Sequence, residues 1–146
     1  MFAEFLVNEL DRRRIDKRAG PRQVGRVGVD DCEAGGGLFP RSYLILRELL
    51  PATRFTIIDA DAANLARAGA LLDGSAVDLV HARFREGIRE PYDVLVIPLS
   101  FDGDRAALYA HPPAPIVLVH DWIWRKRGDS RIVSLALLKR VNLVRR

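Results

Sequence analysis

Three acids and three glycines, Asp30, Asp31, Glu33, Gly35, Gly36 and Gly37, follow the apolar run Val24-Gly-Arg-Val-Gly-Val29, and a carboxylate, Asp59, closes the next apolar run, Arg54-Phe-Thr-Ile-Ile58. Small residues after a strand let the backbone approach a ligand, and a carboxylate about 20 residues further on can accept hydrogen bonds from both hydroxyls of a ribose. The pattern predicts a ligand of the nucleoside kind. A phosphate cradle fits less well, because no Lys-Ser/Thr follows the glycines and the flanking acids repel phosphate, whereas they tolerate a cation. The plainer reading is a strand-end acid, Asp59 or Asp61, that caps the next helix.

A second group sits at the end of the run Ile116-Val-Leu-Val119, where His120 and Asp121 enter a polar, tryptophan-containing loop. The carboxyl edge of an open α/β sheet is where ligands bind, and an imidazole with an ordinary pKa near ~6.5 suits proton removal at neutral pH. The competing expectation is a histidine bonded to a loop carbonyl, with Asp121 capping nearby backbone. Trp122 and Trp124 precede Arg125-Lys126-Arg127, a combination that could stack bases or anchor at a membrane interface. Strand alternation would instead bury both rings on one face, and that packing role is preferred. His111 lies in a proline-rich turn and is expected to face solvent. The single cysteine, Cys32, excludes an internal disulfide, and there is no pair or cluster with metal-ligand spacing.

The 146 residues suit one domain, 1–146, large enough to bury a core, with 49% apolar and 29% charged residues, the balance of a soluble globular protein. No apolar run reaches the ~20 residues needed to cross a bilayer and no secretory leader is seen, so a cytoplasmic location is expected. The net charge of +4 is uneven: +3 over residues 1–26, −6 over 27–121 and +7 over 122–146. Basic ends of this kind could meet RNA or a membrane surface, although arginine-rich faces also serve simply for solubility.

These residues need elements to position them. Residues 2–18 read as an amphipathic helix, from Phe2, Phe5, Leu6, Leu10 and Ile15 with Arg12, Arg13, Arg14 and Lys17 between, ended at Gly20-Pro21. Strands are expected at 24–29, 54–59, 76–81, 92–97 and 116–119, and helices at 43–50, 64–72 and 102–109. Ser130 can cap a last helix running to Lys139 or Arg140, with a short strand possible at 141–144. Alternating strands and helices imply a doubly wound parallel sheet in three α/β/α layers, Rossmann-like, with strand order 3-2-1-4-5.

This order of elements resembles the class I S-adenosylmethionine-dependent methyltransferases over about residues 22–144. The stretch 30–37 matches the acid and glycine loop that takes the amino-acid end of the cofactor, and 49–59 looks very like the family's helix end and second strand. Asn64-Leu65-Ala66-Arg67-Ala68 resembles the start of the following helix, and 92–97 the fourth strand. The resemblance implies S-adenosylmethionine as cofactor, bound by Asp30, Cys32, Ala34, Gly35, Gly36, Gly37, Asp59, Ala60 and Pro98, and methyl transfer to an oxygen or nitrogen acceptor with His120 and Asp121 as catalytic candidates. Tyr43 or Phe39 could lie against the sulfonium, although an aromatic here is more often core.

The chain departs from the family's pattern at several places. Cys32 and Ala34, or Phe39, replace loop glycines; His81-Ala82-Arg83 stands where an acid often receives the adenine amino group; and the usual antiparallel strand pair at the carboxyl terminus is not expected. Asp121 weakly resembles a metal-binding aspartate of catechol-type O-methyltransferases, but Trp122 follows in place of Asn and no acid stands at Pro98, so no metal is expected. An uncovered edge beyond the fifth strand would invite a second copy, hence a homodimer. Two rival functions follow: a catalytically silent binding module of the same fold, and a basic RNA- or membrane-surface-binding protein.

Overall fold

A computed structural model describes residues 26–30, 41–51, 53–72, 77–84 and 92–146. The expected amino-terminal helix and the loop carrying Cys32, Ala34, Gly35, Gly36 and Gly37 lie outside them. The elements are β1 (Arg26–Asp30), α1 (Arg41–Leu49), β2 (Arg54–Asp59), α2 (Ala62–Leu71), β3 (Val77–His81), β4 (Val94–Ile97), α3 (Arg105–Ala110), β5 (Ile116–Trp122), β6 (Asp129–Ser134) and β7 (Lys139–Arg145). They form a seven-stranded sheet in the order β3-β2-β1-β4-β5-β7-β6, in which β1 to β5 are parallel and β7 runs antiparallel to both of its neighbours.

The apolar runs that mark β2, β4 and β5 are buried on both faces, as parallel strands between helix layers must be. On one face Phe55, Ile57, Val94, Val96, Ile116 and Leu118 pack against Tyr43 and Leu46 of α1 and against Leu65 and Leu72 of the α2 region. On the other, Leu95, Ile97, Val117 and Val119 pack against Phe101 and Leu108 at α3. Fully buried side chains such as Ile57, Leu95 and Leu118 each contribute about 1.5–3 kcal/mol relative to exposure. Helix α2 starts because Asp61 accepts from the Ala63 amide at 2.8 Å. It packs closely on β3: a methyl at Gly69 would stand 3.2 Å from Leu79 Cδ1.

The last quarter of the chain departs from expectation. Residues 130–140 form no helix; β6 and β7 make a hairpin, and β7 pairs with β5 along its length from Ile116↔Arg145 to Trp122↔Lys139. The family's carboxyl-terminal strand pair is therefore present, and the uncovered β5 edge that motivated a homodimer is filled by β7. Leu135-Ala-Leu-Leu138 favours a helix locally, but pairing with an otherwise open strand edge outweighs so small a preference.

Both β5 and β6 run antiparallel to β7, so they are parallel to each other, yet only residues 123–128 join them. No helix fits in that length. The link returns across the sheet face at Asn142, whose side chain accepts from the Arg127 amide at 3.2 Å and donates to the Arg125 carbonyl at 2.9 Å. Gly128, at φ +53°, lets the link turn into β6 in a conformation that disfavours a side chain.

Candidate active site at the carboxyl ends of the strands

Strand register assembles the site. Asp30 stands opposite Ile58, Val29 opposite Val96, and Ile97 opposite Val119, so Asp59, Pro98 and His120 each lie one residue beyond that row. Side chains alternate across a strand, and Ile57, Val96 and Leu118 belong to the core under α1 and α2. Asp59, Pro98 and His120 consequently share that face at the carboxyl edge of the sheet. Asp30 ends β1 at the same edge.

The Asp59 carboxylate is buried, and both oxygens are engaged locally. Oδ1 accepts from the Asp61 amide at 2.7 Å and Oδ2 from Asn64 Nδ2 at 3.4 Å. Its carbonyl accepts from the Ala82 amide at 3.0 Å, which ties β2 to the end of β3. The capping role foreseen for this region thus falls to Asp61, while Asp59 holds Asp61 in place. Each carboxylate oxygen can accept more than one hydrogen bond, so this arrangement is compatible with a further donor. Next to it Ala60 is exposed, and His81 Nε2 donates to its carbonyl at 3.0 Å.

His120 and Asp121 face opposite sides of the sheet, as adjacent strand residues do. His120 is half-buried, and burial, reinforced by Lys139 and Arg105, pushes its pKa down to about 4. Its imidazole is neutral at pH 7 and a weaker base than a free histidine, contrary to the unperturbed value expected from sequence. Asp121 is buried on the α3 face, where it accepts from the Trp122 amide at 2.9 Å and from the Tyr109 hydroxyl at 3.4 Å. Tyr109 in turn accepts from Asn142 Nδ2 at 2.7 Å. A continuous network therefore runs from buried Asp121 through half-buried Tyr109 to buried Asn142 and the backbone of the 123–128 link, and burial raises the Tyr109 pKa.

Arg105 is the residue that sequence reasoning missed. From the first turn of α3 its guanidinium donates to the carbonyls of His120 at 2.9 Å, Pro98 at 2.8 Å and Leu99 at 2.8 Å, with Phe101 at 3.4 Å. It joins the carboxyl ends of β4 and β5 just behind the row described above. Burial lowers its pKa, an effect opposed by Asp121, and the side chain lies over the Phe101 ring. The available signal was Asp104-Arg105 at a helix start, where Asp104 caps α3 by accepting from the Ala107 amide at 3.1 Å. Asn142 also left a signal, a lone amide in the apolar run Val141-Asn142-Leu143-Val144.

Of the aromatic expectations, the core role of Tyr43 holds and the buried tryptophan pair does not. Tyr43 is core, edge-on to Phe55 with centroids 5.1 Å apart, and Phe39 lies outside the described residues. Trp122 and Trp124 stack on each other at 5.4 Å, but both rings are exposed rather than buried. Among the described residues no group of His, Cys, Asp and Glu could hold a metal ion.

No protein-family model and no curated protein matches the sequence. Solved structures do match in fold. A methyltransferase from Geobacter sulfurreducens superimposes with TM-score 0.56 at 16% identity, covering 100% of this chain and 89% of that one. The 16S rRNA methylase ArmA matches with TM-score 0.50 at 10% identity, covering 84% of this chain and 74% of that one. The chain spans only 40% of the plantazolicin methyltransferase BpumL, solved in complex with SAH, at TM-score 0.49 and 17% identity. The fold of this chain is thus the methyltransferase fold.

Proposed function

We propose that this chain is a cytoplasmic, single-domain S-adenosylmethionine-dependent methyltransferase acting on an oxygen or nitrogen acceptor. The observation that carries the reading is the row Asp59, Pro98 and His120 on one face of the carboxyl edge, in a chain with the methyltransferase fold. When bound, S-adenosylmethionine supplies a methyl group on a sulfonium sulfur, and transfer is an in-line displacement that asks mainly for orientation and exclusion of water.

In this reading Asp59, held by the Asp61 amide, accepts from the ribose hydroxyls. The Ala60 backbone flanks the base. Asp30, Cys32, Ala34, Gly35, Gly36 and Gly37 take the amino-acid end, with acidic neighbours suited to its ammonium and to the sulfonium. Pro98 borders the methyl position. The neutral His120 imidazole orients the acceptor by hydrogen bonding. Asp121 acts from the opposite face as a support for Tyr109, while Arg105 positions the strand ends.

The test is calorimetric titration with S-adenosylhomocysteine, with NAD and ATP as controls. Selective micromolar binding is expected, and Asp59→Ala should weaken it at least about tenfold, the loss of a charge-assisted hydrogen bond, while the circular dichroism spectrum is kept. Unchanged affinity in that variant would remove Asp59 from the site. Absence of binding to all three ligands would favour the catalytically silent module.

A further inference from the structure

The β6–β7 turn carries the wrong residues for a turn. Hairpin connections favour Gly, Asn and Asp, yet this one reads Leu135-Ala136-Leu137-Leu138, with all three leucines exposed, Leu135 by 68%. Leu138 adopts φ +53°, a left-handed conformation that leucine rarely takes and glycine takes without cost. The turn is nonetheless well built: the Leu137 amide donates to Ser134 Oγ at 3.1 Å and the Leu138 amide to the Leu135 carbonyl at 3.1 Å. Among the described residues, nothing in the packing asks for this apolar surface.

It is also not isolated. The Ile123 amide donates to the Leu138 carbonyl at 2.9 Å, which fixes the stacked Trp122–Trp124 pair beside the leucines. Val133, in the bulge before the turn, is exposed as well. The segment that carries it is rich in cations: Arg125, Lys126 and Arg127 on the link, Arg131 on β6 and Lys139 at the start of β7. Asp129 is the only acid from residue 122 onward, and it is ion-paired with Arg145.

We infer that this turn and the Trp122–Trp124 pair form a docking surface for an anionic lipid bilayer. Exposed leucines and tryptophans on a segment with eight Lys and Arg and one acid match a surface that is apolar within and negatively charged at its headgroups. RNA fits less well, since nucleic acid has no use for the leucines and each Trp ring already spends a face on the other. This inference stands apart from the methyltransferase reading, because it needs no cofactor.

The experiment is co-sedimentation of the 146-residue chain with phosphatidylcholine vesicles, with and without about 30% phosphatidylserine. Binding is expected only with the anionic lipid, and it should fall as salt rises. Leu135→Ser with Leu137→Ser should weaken it at least about tenfold, and Arg125→Gln with Lys126→Gln about fivefold per cation. Leu71→Ser, an exposed leucine on α2, is the control that should change nothing. Circular dichroism establishes that each variant folds. Equal binding to both vesicles, an equal effect of Leu71→Ser, or no binding at all overturns the inference. So do binding to single-stranded RNA that ignores the leucine changes and a dimer that they dissociate in sedimentation velocity, which point to RNA or a second copy instead.

Discussion

Arg105 donates to the His120 carbonyl at 2.9 Å while its Nη2 reaches Pro98 and Leu99, so a single guanidinium closes the gap between the ends of β4 and β5. Carbonyls at strand ends have no ladder partner beyond the sheet, and a planar fork with five donors can serve several at once. Arg105→Ala should cost about 2–4 kcal/mol, because it leaves half-buried carbonyls without donors. Arg105→Lys should recover less than half of that, lacking the fork. Urea denaturation measures both; a loss under about 0.5 kcal/mol for the alanine variant would mean that water replaces the guanidinium without penalty.

Asn142 is fully buried, and both amide protons and its oxygen have partners. Asn142→Leu should destabilise by about 2–4 kcal/mol through the stranded groups of Tyr109 and the 123–128 link. Tyr109→Phe should cost about 1 kcal/mol. Because the two side chains share one hydrogen bond, the double variant should be less destabilised than the sum of the singles. Additive losses would place them in separate interactions.

The depressed pKa of His120 makes a prediction about acid stability. Above pH ~6.5 the imidazole is neutral both folded and unfolded and contributes nothing to pH dependence. As pH falls from ~6.5 towards about 4, the unfolded chain takes up a proton that the folded protein refuses, so stability is lost across that window and the loss levels off below it. His120→Gln should flatten the slope of unfolding free energy against pH between ~6.5 and ~4.5. An unchanged slope would show that His120 titrates normally.

Leu138 holds a left-handed backbone at an exposed turn. Leu138→Gly should stabilise the domain by about 1 kcal/mol in chemical denaturation, since glycine accepts this conformation without steric penalty. Destabilisation would mean that the leucine side chain packs more than its exposure implies.

What the sequence made legible follows from where the physics is local. β2 and β4 announce themselves as short, nearly unbroken apolar runs, and Asp59 stands out as the polar residue that ends one of them. Arg105 is different: its partners are backbone carbonyls brought together only by the pairing of β4 with β5, and no residue type advertises a carbonyl. Asp121 was visible but not its direction, because a one-residue change of register reverses every side chain of a strand. The 130–140 segment misled because Leu135-Ala-Leu-Leu138 has high helix propensity, while the competing term, the free edge of β5, lies outside any local window. Trp122 and Trp124 do share one side, as alternation predicts, but that side is the protein surface.

The strand order also dictates how assembly must end. β7 follows β6 in the chain yet lies inside the sheet, between β6 and β5. During vectorial synthesis the five parallel strands can associate while the edge of β5 stays bare, and β6 has no neighbour until residues 139–145 emerge. A nascent chain halted before Lys139 therefore carries an exposed strand edge, Ile116 to Trp122, that is free to pair with other chains. Residues 139–145 are thus the segment that shields this edge of the sheet from aggregation.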